Sequence, residues 1–95
     1  IVAGVDPDPK RRKEMTKAGV SVSDSVKELV AEVPVVITSL PSPAALHAVV
    51  AEIAAAKVKP RIVIEASTFT LDDKLAAEKV LRKAGHTMLD CPVSG

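Results

Sequence analysis

The last six residues, Asp90-Cys91-Pro92-Val93-Ser94-Gly95, combine residue types that suit the binding of a small anion. They follow a short apolar run that we interpret as a strand, so they lie where the strand leaves its sheet. A serine hydroxyl and the backbone N–H groups beside a glycine can donate hydrogen bonds to an anion. We therefore expect Ser94 and Gly95 to form part of a substrate site.

A second candidate is Asp6, which follows the apolar run Ile1–Val5. A carboxylate at a strand end can accept hydrogen bonds from the ribose hydroxyls of NAD, or it can simply cap a turn. The glycine-rich loop that binds the pyrophosphate normally lies about 20 residues before such an acid. Because only five residues precede Asp6, we expect the first strand and this loop to be missing from the chain.

The basic run Lys10-Arg11-Arg12-Lys13 comes next. It could meet the 2′-phosphate of NADP, or it could be the solvated first turn of a helix. Cations at a helix N-terminus oppose the helix dipole, which keeps the NADP interpretation open.

Two dipeptides at the ends of apolar runs complete the candidate cofactor contacts. Leu40-Pro41 offers an apolar surface on a fixed backbone, or a rigid strand-to-helix turn. Ser67-Thr68 offers two hydroxyls to a ribose or a carboxamide, or to the local backbone of a turn. Both interpretations stay open for each pair.

Other reactive side chains carry no signal for chemistry. Neither His47 nor His86 has a Ser, Cys or acidic residue at a spacing that indicates catalysis. Cys91 has no His or basic residue nearby in sequence to activate its thiol. No metal-ligand spacing occurs, so we expect no metal site. No catalytic residue is expected in this chain.

The elements that must position these residues alternate between strand and helix. We predict strands at Ile1–Val5, Val20–Val22, Val35–Ser39, Arg61–Ala66 and His86–Asp90. Helices are predicted between them, beginning near Pro9, Ser25, Ser42 and Thr70.

Local signals support these helices. Ser25-Val26-Lys27-Glu28 matches a capping box, and Gly19 and Gly85 are natural stops. Two apolar stripes predict buried helix faces, namely Leu46, Val49, Val50 and Ile53, and Ala77, Val80, Leu81 and Ala84. The run Val35–Ser39 does not alternate, which predicts a strand buried on both faces.

Strict alternation of this kind predicts an α/β fold with a parallel sheet. Ligands bind at the carboxyl ends of such strands. The four loops with the unusual residues all follow strands, so we expect them to converge on one rim.

Composition excludes several classes of protein. The 95 residues are 47% hydrophobic and 26% charged, which is typical of one globular domain. The net charge of +1 favours neither nucleic acid nor a membrane surface, and no apolar run is long enough to span a bilayer. The single cysteine fits a reducing compartment, so we expect a cytoplasmic protein, or one of the mitochondrial matrix in a eukaryote.

Three segments together resemble the β-hydroxyacid dehydrogenases, a family with 3-hydroxyisobutyrate dehydrogenase, tartronate semialdehyde reductase and, more distantly, 6-phosphogluconate dehydrogenase. The segments are Val35–Pro41, Glu65-Ala66-Ser67-Thr68 and Asp90–Gly95, of which the last is the most specific. Glu65 stands where aspartate is common in the family, and Cys91 where alanine is common.

The resemblance implies a Rossmann-type NAD(P)-binding domain over residues 1–95, with helices on both faces of its sheet. Cofactor contacts carry over to Asp6, Leu40, Pro41, Ser67 and Thr68. Ser94 and Gly95 are implied to hold the substrate carboxylate.

The resemblance also implies parts that the chain lacks, namely a catalytic lysine and a C-terminal helical domain. Relatives that prefer NADP often have Asn-Arg where this chain has Asp6-Pro7, which favours NAD slightly over NADP. We therefore predict a fragment of a homo-oligomeric enzyme that transfers a hydride between NAD(P) and a small β-hydroxy acid such as 3-hydroxyisobutyrate.

Two alternatives remain at this point. One is a non-catalytic nucleotide-binding module of the same fold. The other is a flavodoxin-like response domain, for which Asp6 and Asp8 fit loosely but Ser94-Gly95 does not.

Overall fold

The computed structural model of the chain describes residues 3–92, so Ser94 and Gly95 lie outside the described residues. The strands are β1 (Ala3–Gly4), β2 (Ser21–Val22), β3 (Val35–Thr38), β4 (Ile62–Glu65) and β5 (Thr87–Asp90). The helices are α1 (Pro9–Lys17), α2 (Val26–Glu32), α3 (Pro43–Ala55) and α4 (Leu71–Lys83). The predicted alternation is confirmed, with shorter strands than the sequence indicated.

All strand pairs are parallel, but within residues 3–92 they form two separate ladders. β1 pairs with β2, and β3, β4 and β5 pair in that order. A groove of about 760 Å³ is lined by β1, β3 and the end of α2. The expected single sheet is therefore divided at this groove.

Side-chain caps begin the helices where the sequence predicted them. The hydroxyl of Ser42 accepts a hydrogen bond from the Ala45 N–H at 3.1 Å. Ser25 caps α2 in the same way, but the Glu28 carboxylate accepts from the Asp24 N–H and not from the Ser25 N–H. The predicted capping box is thus half formed, and its second bond is shifted by one residue.

Three helices cover one face of the three-stranded sheet. The core contains side chains of α2, α3, α4 and the inward positions of β3 and β4: Val30, Val36, Leu46, Val50, Ile53, Val63, Ala77 and Leu81. Leu46, Val50 and Ile53 confirm the stripe predicted for α3. The prediction that Val80 belongs to the buried face of α4 is wrong, because Val80 is 42% exposed.

The other face of this sheet is open in the described part of the chain. Val35 is 45% exposed, Ile37 69% and Ile62 42%, whereas Val36 between the first two is buried. The prediction that Val35–Ser39 is buried on both faces is therefore wrong for residues 3–92. β3 alternates between a covered and an uncovered face because no described helix packs on the second side.

Two helices end at glycines, as predicted. Gly19 and Gly85 have φ values of 84° and 91°, in the left-handed region that glycine adopts without strain. Among residues 3–92, no helix is long and apolar enough to cross a membrane.

Candidate cofactor and substrate site

A polar row crosses the carboxyl ends of the three paired strands. Thr38 is in register with Glu65, and Glu65 is in register with Asp90. Side chains alternate along a strand, so this row lies on the same face as the buried Val36 and Val63 two residues earlier. The row thus places polar groups between the sheet and the helices at the rim where ligands bind in parallel sheets.

Glu65 is the centre of this row. Its side chain is fully buried, and its carboxylate accepts hydrogen bonds from the Thr38 hydroxyl and, at 2.6 Å, from the Ser67 N–H. The Nζ of Lys74 lies 3.8 Å from the same carboxylate. Burial of a carboxylate is costly unless it is hydrogen-bonded and paired, and Glu65 is both.

Lys74 of α4 is a component of the rim that the sequence analysis missed. It is only 4% exposed, and its Nζ donates to Asp90 Oδ1 at 2.5 Å and to the Ser67 carbonyl at 2.7 Å. A signal was present in the sequence, because Lys74 stands three residues before Ala77 and seven before Leu81. Extending the buried stripe back by one turn places Lys74 on the inner face of α4.

The structure brings the predicted residues Leu40 and Ser67 together. The Ser67 hydroxyl accepts a hydrogen bond from the Leu40 N–H at 2.7 Å, which joins the loop after β3 to the loop after β4. Leu40 packs against the core, whereas Pro41 and Thr68 are exposed. Ser67 is 6% exposed, and its hydroxyl bonds to the backbone of the loop after β3, whereas the sequence analysis offered a ligand or the local backbone of a turn.

Asp6 lies after β1, in the two-stranded sheet, and makes no described contact with Leu40 or Ser67. Its Oδ1 accepts a hydrogen bond from the Asp8 N–H at 2.9 Å, which forms a local turn. Asp8 in turn caps α1 by accepting from the Lys10 N–H. Asp6 therefore does cap a turn, and its position at a strand end leaves the ribose interpretation as a prediction.

The basic run lies in the first turns of α1, mostly on the surface. Arg12 forms an ion pair with Asp24 at 3.0 Å, and Arg11 lies 4.0 Å from Asp8. Both pairs are partly or largely exposed, so each contributes at most about 1 kcal/mol.

Asp90 is the last residue of β5, and the predicted substrate residues follow it in the chain. The Cys91 N–H donates to the Glu65 carbonyl at 2.9 Å, which continues the parallel register past β5. Cys91 and Pro92 are exposed. The prediction for Ser94 and Gly95 falls on residues outside those described.

The two histidines have structural partners. His86 is buried, and its Nδ1 accepts a hydrogen bond from the Arg61 N–H at 2.9 Å. Burial, with a smaller contribution from the Arg61 charge, lowers the pKa of His86. His47 bonds to Asp73 at 3.0 Å between α3 and α4, and this hydrogen bond, with that from Thr70, lowers the pKa of the Asp73 carboxyl.

No group of three or more His, Cys, Asp or Glu side chains within residues 3–92 is placed to hold a metal ion. The loops at the rim expose Pro41 and Thr68, whose apolar ring and hydroxyl are groups of the kind that contact organic ligands. Parallel strands, helical crossovers and polar loops at the carboxyl edge define a Rossmann-type nucleotide-binding domain.

Comparison with known proteins gives the family. Residues 1–95 match the family described as "NAD binding domain of 6-phosphogluconate dehydrogenase", and the chain belongs to it. Use of a nicotinamide dinucleotide is thereby supported, without a choice between NAD and NADP. The chain is 34% identical over 95 residues to proteins named "Probable 3-hydroxyisobutyrate dehydrogenase" from Mycobacterium tuberculosis H37Rv and Mycobacterium bovis. In both cases the match covers 100% of this chain and 32% of the relative.

Solved structures agree with the fold. A structure of Mycobacterium tuberculosis 3-hydroxyisobutyrate dehydrogenase with L-serine matches with a TM-score of 0.94 and 34% identity, over 100% of this chain and 33% of that one. An imine reductase from Streptomyces aurantiacus matches with a TM-score of 0.81 and 20% identity, over 92% of this chain and 30% of that one. The second likeness concerns the fold alone. The predicted class, a Rossmann-type α/β domain of this dehydrogenase group, is confirmed.

Proposed function

We propose that this chain is the dinucleotide-binding part of a longer oxidoreductase that interconverts a small 3-hydroxy acid and its semialdehyde. The observation that carries the proposal is the Leu40–Ser67 hydrogen bond at the carboxyl rim, in a chain that belongs to an NAD-binding family. This bond fixes two ligand-facing loops relative to each other, as an extended cofactor requires.

The residues at the rim fit a nicotinamide dinucleotide. Pro41 and Thr68 are exposed and Leu40 is half-buried, and the Leu40–Ser67 hydrogen bond joins their two loops. Such a surface offers apolar contact to one part of the cofactor and a hydrogen bond to another, which is typical of cofactor sites. We assign Leu40, Pro41 and Thr68 as direct contacts, and Ser67 as the cofactor-site residue that holds the Leu40 loop through its hydroxyl.

The substrate class follows from the segment after β5. A serine hydroxyl and a glycine N–H at Ser94 and Gly95 suit a carboxylate. A related enzyme was solved with L-serine, which carries a carboxylate and a hydroxyl on the third carbon. We therefore assign 3-hydroxy acids of this size as substrates, with Ser94 and Gly95 binding the carboxylate.

Catalysis requires removal of a hydride and a proton from the substrate. A bound nicotinamide would supply the acceptor for the hydride that leaves the carbon bearing the hydroxyl. The hydroxyl proton passes to a base, which the resemblance implies is a lysine beyond this chain. The residues of this chain orient the acid and the cofactor so that the two carbons face each other.

We propose NAD as the preferred cofactor. Asp6 follows β1 at the carboxyl end of the two-stranded sheet, and a carboxylate at such a strand end would bind the ribose hydroxyls of NAD and repel the 2′-phosphate of NADP. Arg11 and Arg12 each lie within 4.0 Å of a carboxylate, which reduces their attraction for that phosphate.

The rest of the protein is part of the proposal. The chain spans about a third of its curated relatives, and one face of its larger sheet is uncovered in the described residues. We propose that a first strand with its glycine-rich loop occupies the groove between β1 and β3, and that a C-terminal helical domain supplies the base. A homo-oligomeric state and a cytoplasmic location also stay predictions.

Cofactor binding tests this proposal. Reduced nicotinamide fluorescence is titrated with the full-length polypeptide, with Thr68→Val and with the control Thr16→Val on α1. We expect saturable binding by the wild type and the control, and at least about threefold weaker binding by Thr68→Val because one hydrogen bond is lost. A wild type that binds neither dinucleotide would contradict the proposal, and binding without turnover of any hydroxy acid would favour the non-catalytic module.

A further inference from the structure

A buried ammonium group joins two loops of the proposed site. Lys74 Nζ lies 2.7 Å from the Ser67 carbonyl and 2.5 Å from Asp90 Oδ1. Ser67 directly precedes the cofactor residue Thr68, and Asp90 begins the segment that leads to Ser94 and Gly95. One side chain of α4 therefore spans the gap between the cofactor loop and the substrate segment.

The position of Lys74 is unusual for a lysine. It is 4% exposed, and lysine is almost never fully buried unless it is paired. Its Nζ donates to two acceptors, Ser67 O and Asp90 Oδ1, and forms an ion pair with Glu65 Oε1 at 3.8 Å. Every buried polar side-chain atom in the described residues has a hydrogen-bond partner, so the cluster is fully satisfied.

Stability alone is a weak reason for such a cluster. A buried ion pair is often no more stable than apolar side chains of the same volume, because desolvation offsets the attraction. Unlike apolar side chains, the cluster makes directional hydrogen bonds. The ammonium group binds both the Ser67 carbonyl after β4 and the Asp90 carboxylate of β5, so it fixes the distance between these two acceptors.

The connection continues to the first cofactor loop. Ser67, whose carbonyl accepts from Lys74, also accepts the Leu40 N–H through its hydroxyl. Glu65 accepts from the Ser67 N–H and from Thr38 at the end of β3. The loops after β3 and β4 are thus held together by Glu65 and Ser67, and Lys74 joins this unit to β5.

We propose that Lys74 is a positioning residue that sets the spacing between the cofactor-binding loop at Thr68 and the acid-binding segment after Asp90. This inference rests on the proposed function. Lys74 itself is buried, so it acts through the Ser67 carbonyl and the Asp90 carboxylate.

The test compares Lys74→Met with Lys79→Met in the full-length enzyme. Lys79 is exposed on the same helix, so the same change there removes a charge without affecting the cluster. We expect Lys74→Met to raise the KM for the hydroxy acid about tenfold and to lower kcat, while the Kd for the reduced dinucleotide changes less than about threefold. A loss of folded protein alone would instead lower the active fraction and leave both KM values unchanged.

A second variant keeps the inference testable if Lys74→Met does not fold. Asp90→Ala removes the more exposed partner, whose side chain is 46% exposed, and leaves Lys74 beside Glu65. We expect the same selective rise in the KM for the acid. Wild-type KM values in either folded variant would overturn the inference alone, whereas a wild-type enzyme that binds no dinucleotide would overturn it together with the proposed function.

Discussion

The Glu65 carboxylate links the ends of two strands through a single side chain. It accepts from Thr38 at the end of β3 and from the Ser67 N–H after β4. The resemblance placed an aspartate at this position in many relatives, and the longer glutamate reaches the Thr38 hydroxyl here. At the scale of single residues, the loops of the candidate site are therefore held in place by a buried acceptor.

Asp6 allows a test of cofactor choice. We expect Asp6→Asn to lower the ratio of kcat/KM for NAD to kcat/KM for NADP about tenfold, because the charge that repels the 2′-phosphate is lost. Steady-state kinetics with both cofactors measure this ratio.

The control for this experiment is Glu14→Gln, which removes the same charge from an exposed position of α1. Gln forms helix about as well as Glu, so α1 should persist. An equal change of the ratio in both variants would assign the effect to net charge and not to Asp6.

His86 makes the folded state sensitive to acid. Its pKa is lowered in the folded protein by burial and by Arg61, so below about pH 6.5 the unfolded chain binds a proton that the folded chain does not. The contribution of His86 to stability is therefore complete above that pH and is lost as the pH falls. We expect His86→Asn, which keeps an acceptor for the Arg61 N–H, to flatten the fall in the free energy of unfolding between about pH 7 and pH 5.

Denaturant titrations at several pH values test this expectation. Wild type and His86→Asn with parallel profiles would show that His86 does not carry the dependence.

At the scale of elements, helix ends are controlled by residues with positive φ. Gly85 closes α4 at φ 91°, and Lys57 follows α3 at φ 52°, where glycine would be less strained. A Cβ at Gly85 would meet no atom within 4 Å, so a substitution there tests backbone conformation alone.

We expect Gly85→Ala to destabilise the protein by about 1 kcal/mol and Lys57→Gly to stabilise it by about 0.5 to 1 kcal/mol. Chemical denaturation of the two variants measures both changes. Changes of the same sign would contradict a conformational origin.

The elements were largely predictable from sequence, whereas their lateral contacts were not. Ser42, Thr70 and the two glycines act locally, so the starts of α3 and α4 and the ends of α1 and α4 could be derived from a few neighbouring residues. The spacing to Ala77 and Leu81 places Lys74 on the inner face of α4, but the contacts that keep a lysine there could not be derived, since its partners Glu65 and Asp90 lie on other elements. The hydroxyl of Ser67 was left with two interpretations for the same reason, because its donor, Leu40, lies on another loop.

At the scale of the whole molecule, the described residues leave an apolar sheet face and a groove uncovered. Sequence patterns predict strands but not which strands pair, so the division into two ladders at the groove did not follow from alternation. Ile37 lies on the uncovered apolar face of the three-stranded sheet, and in the described residues it is 69% exposed. In the proposed full-length protein, further chain covers this face.

A charge on this face tests that idea. We expect Ile37→Asp to destabilise the full-length protein by more than about 2 kcal/mol, because an unpaired carboxylate would be buried. The control Ala51→Asp adds the same charge on an exposed position of α3 and should cost about 0.5 kcal/mol, from helix propensity. Equal costs, measured by denaturation, would indicate that the Ile37 face stays in solvent.

The most direct test of the account is turnover by the full-length protein. The formation of reduced nicotinamide is followed by absorbance with NAD or NADP and a set of acids that includes 3-hydroxyisobutyrate, L-serine and a 2-hydroxy acid. We predict oxidation of at least one 3-hydroxy acid, no oxidation of the 2-hydroxy acid, and a raised KM for the acid in Ser94→Ala. Oxidation of none of these acids with either cofactor, or an unchanged KM in Ser94→Ala, would contradict the proposed site.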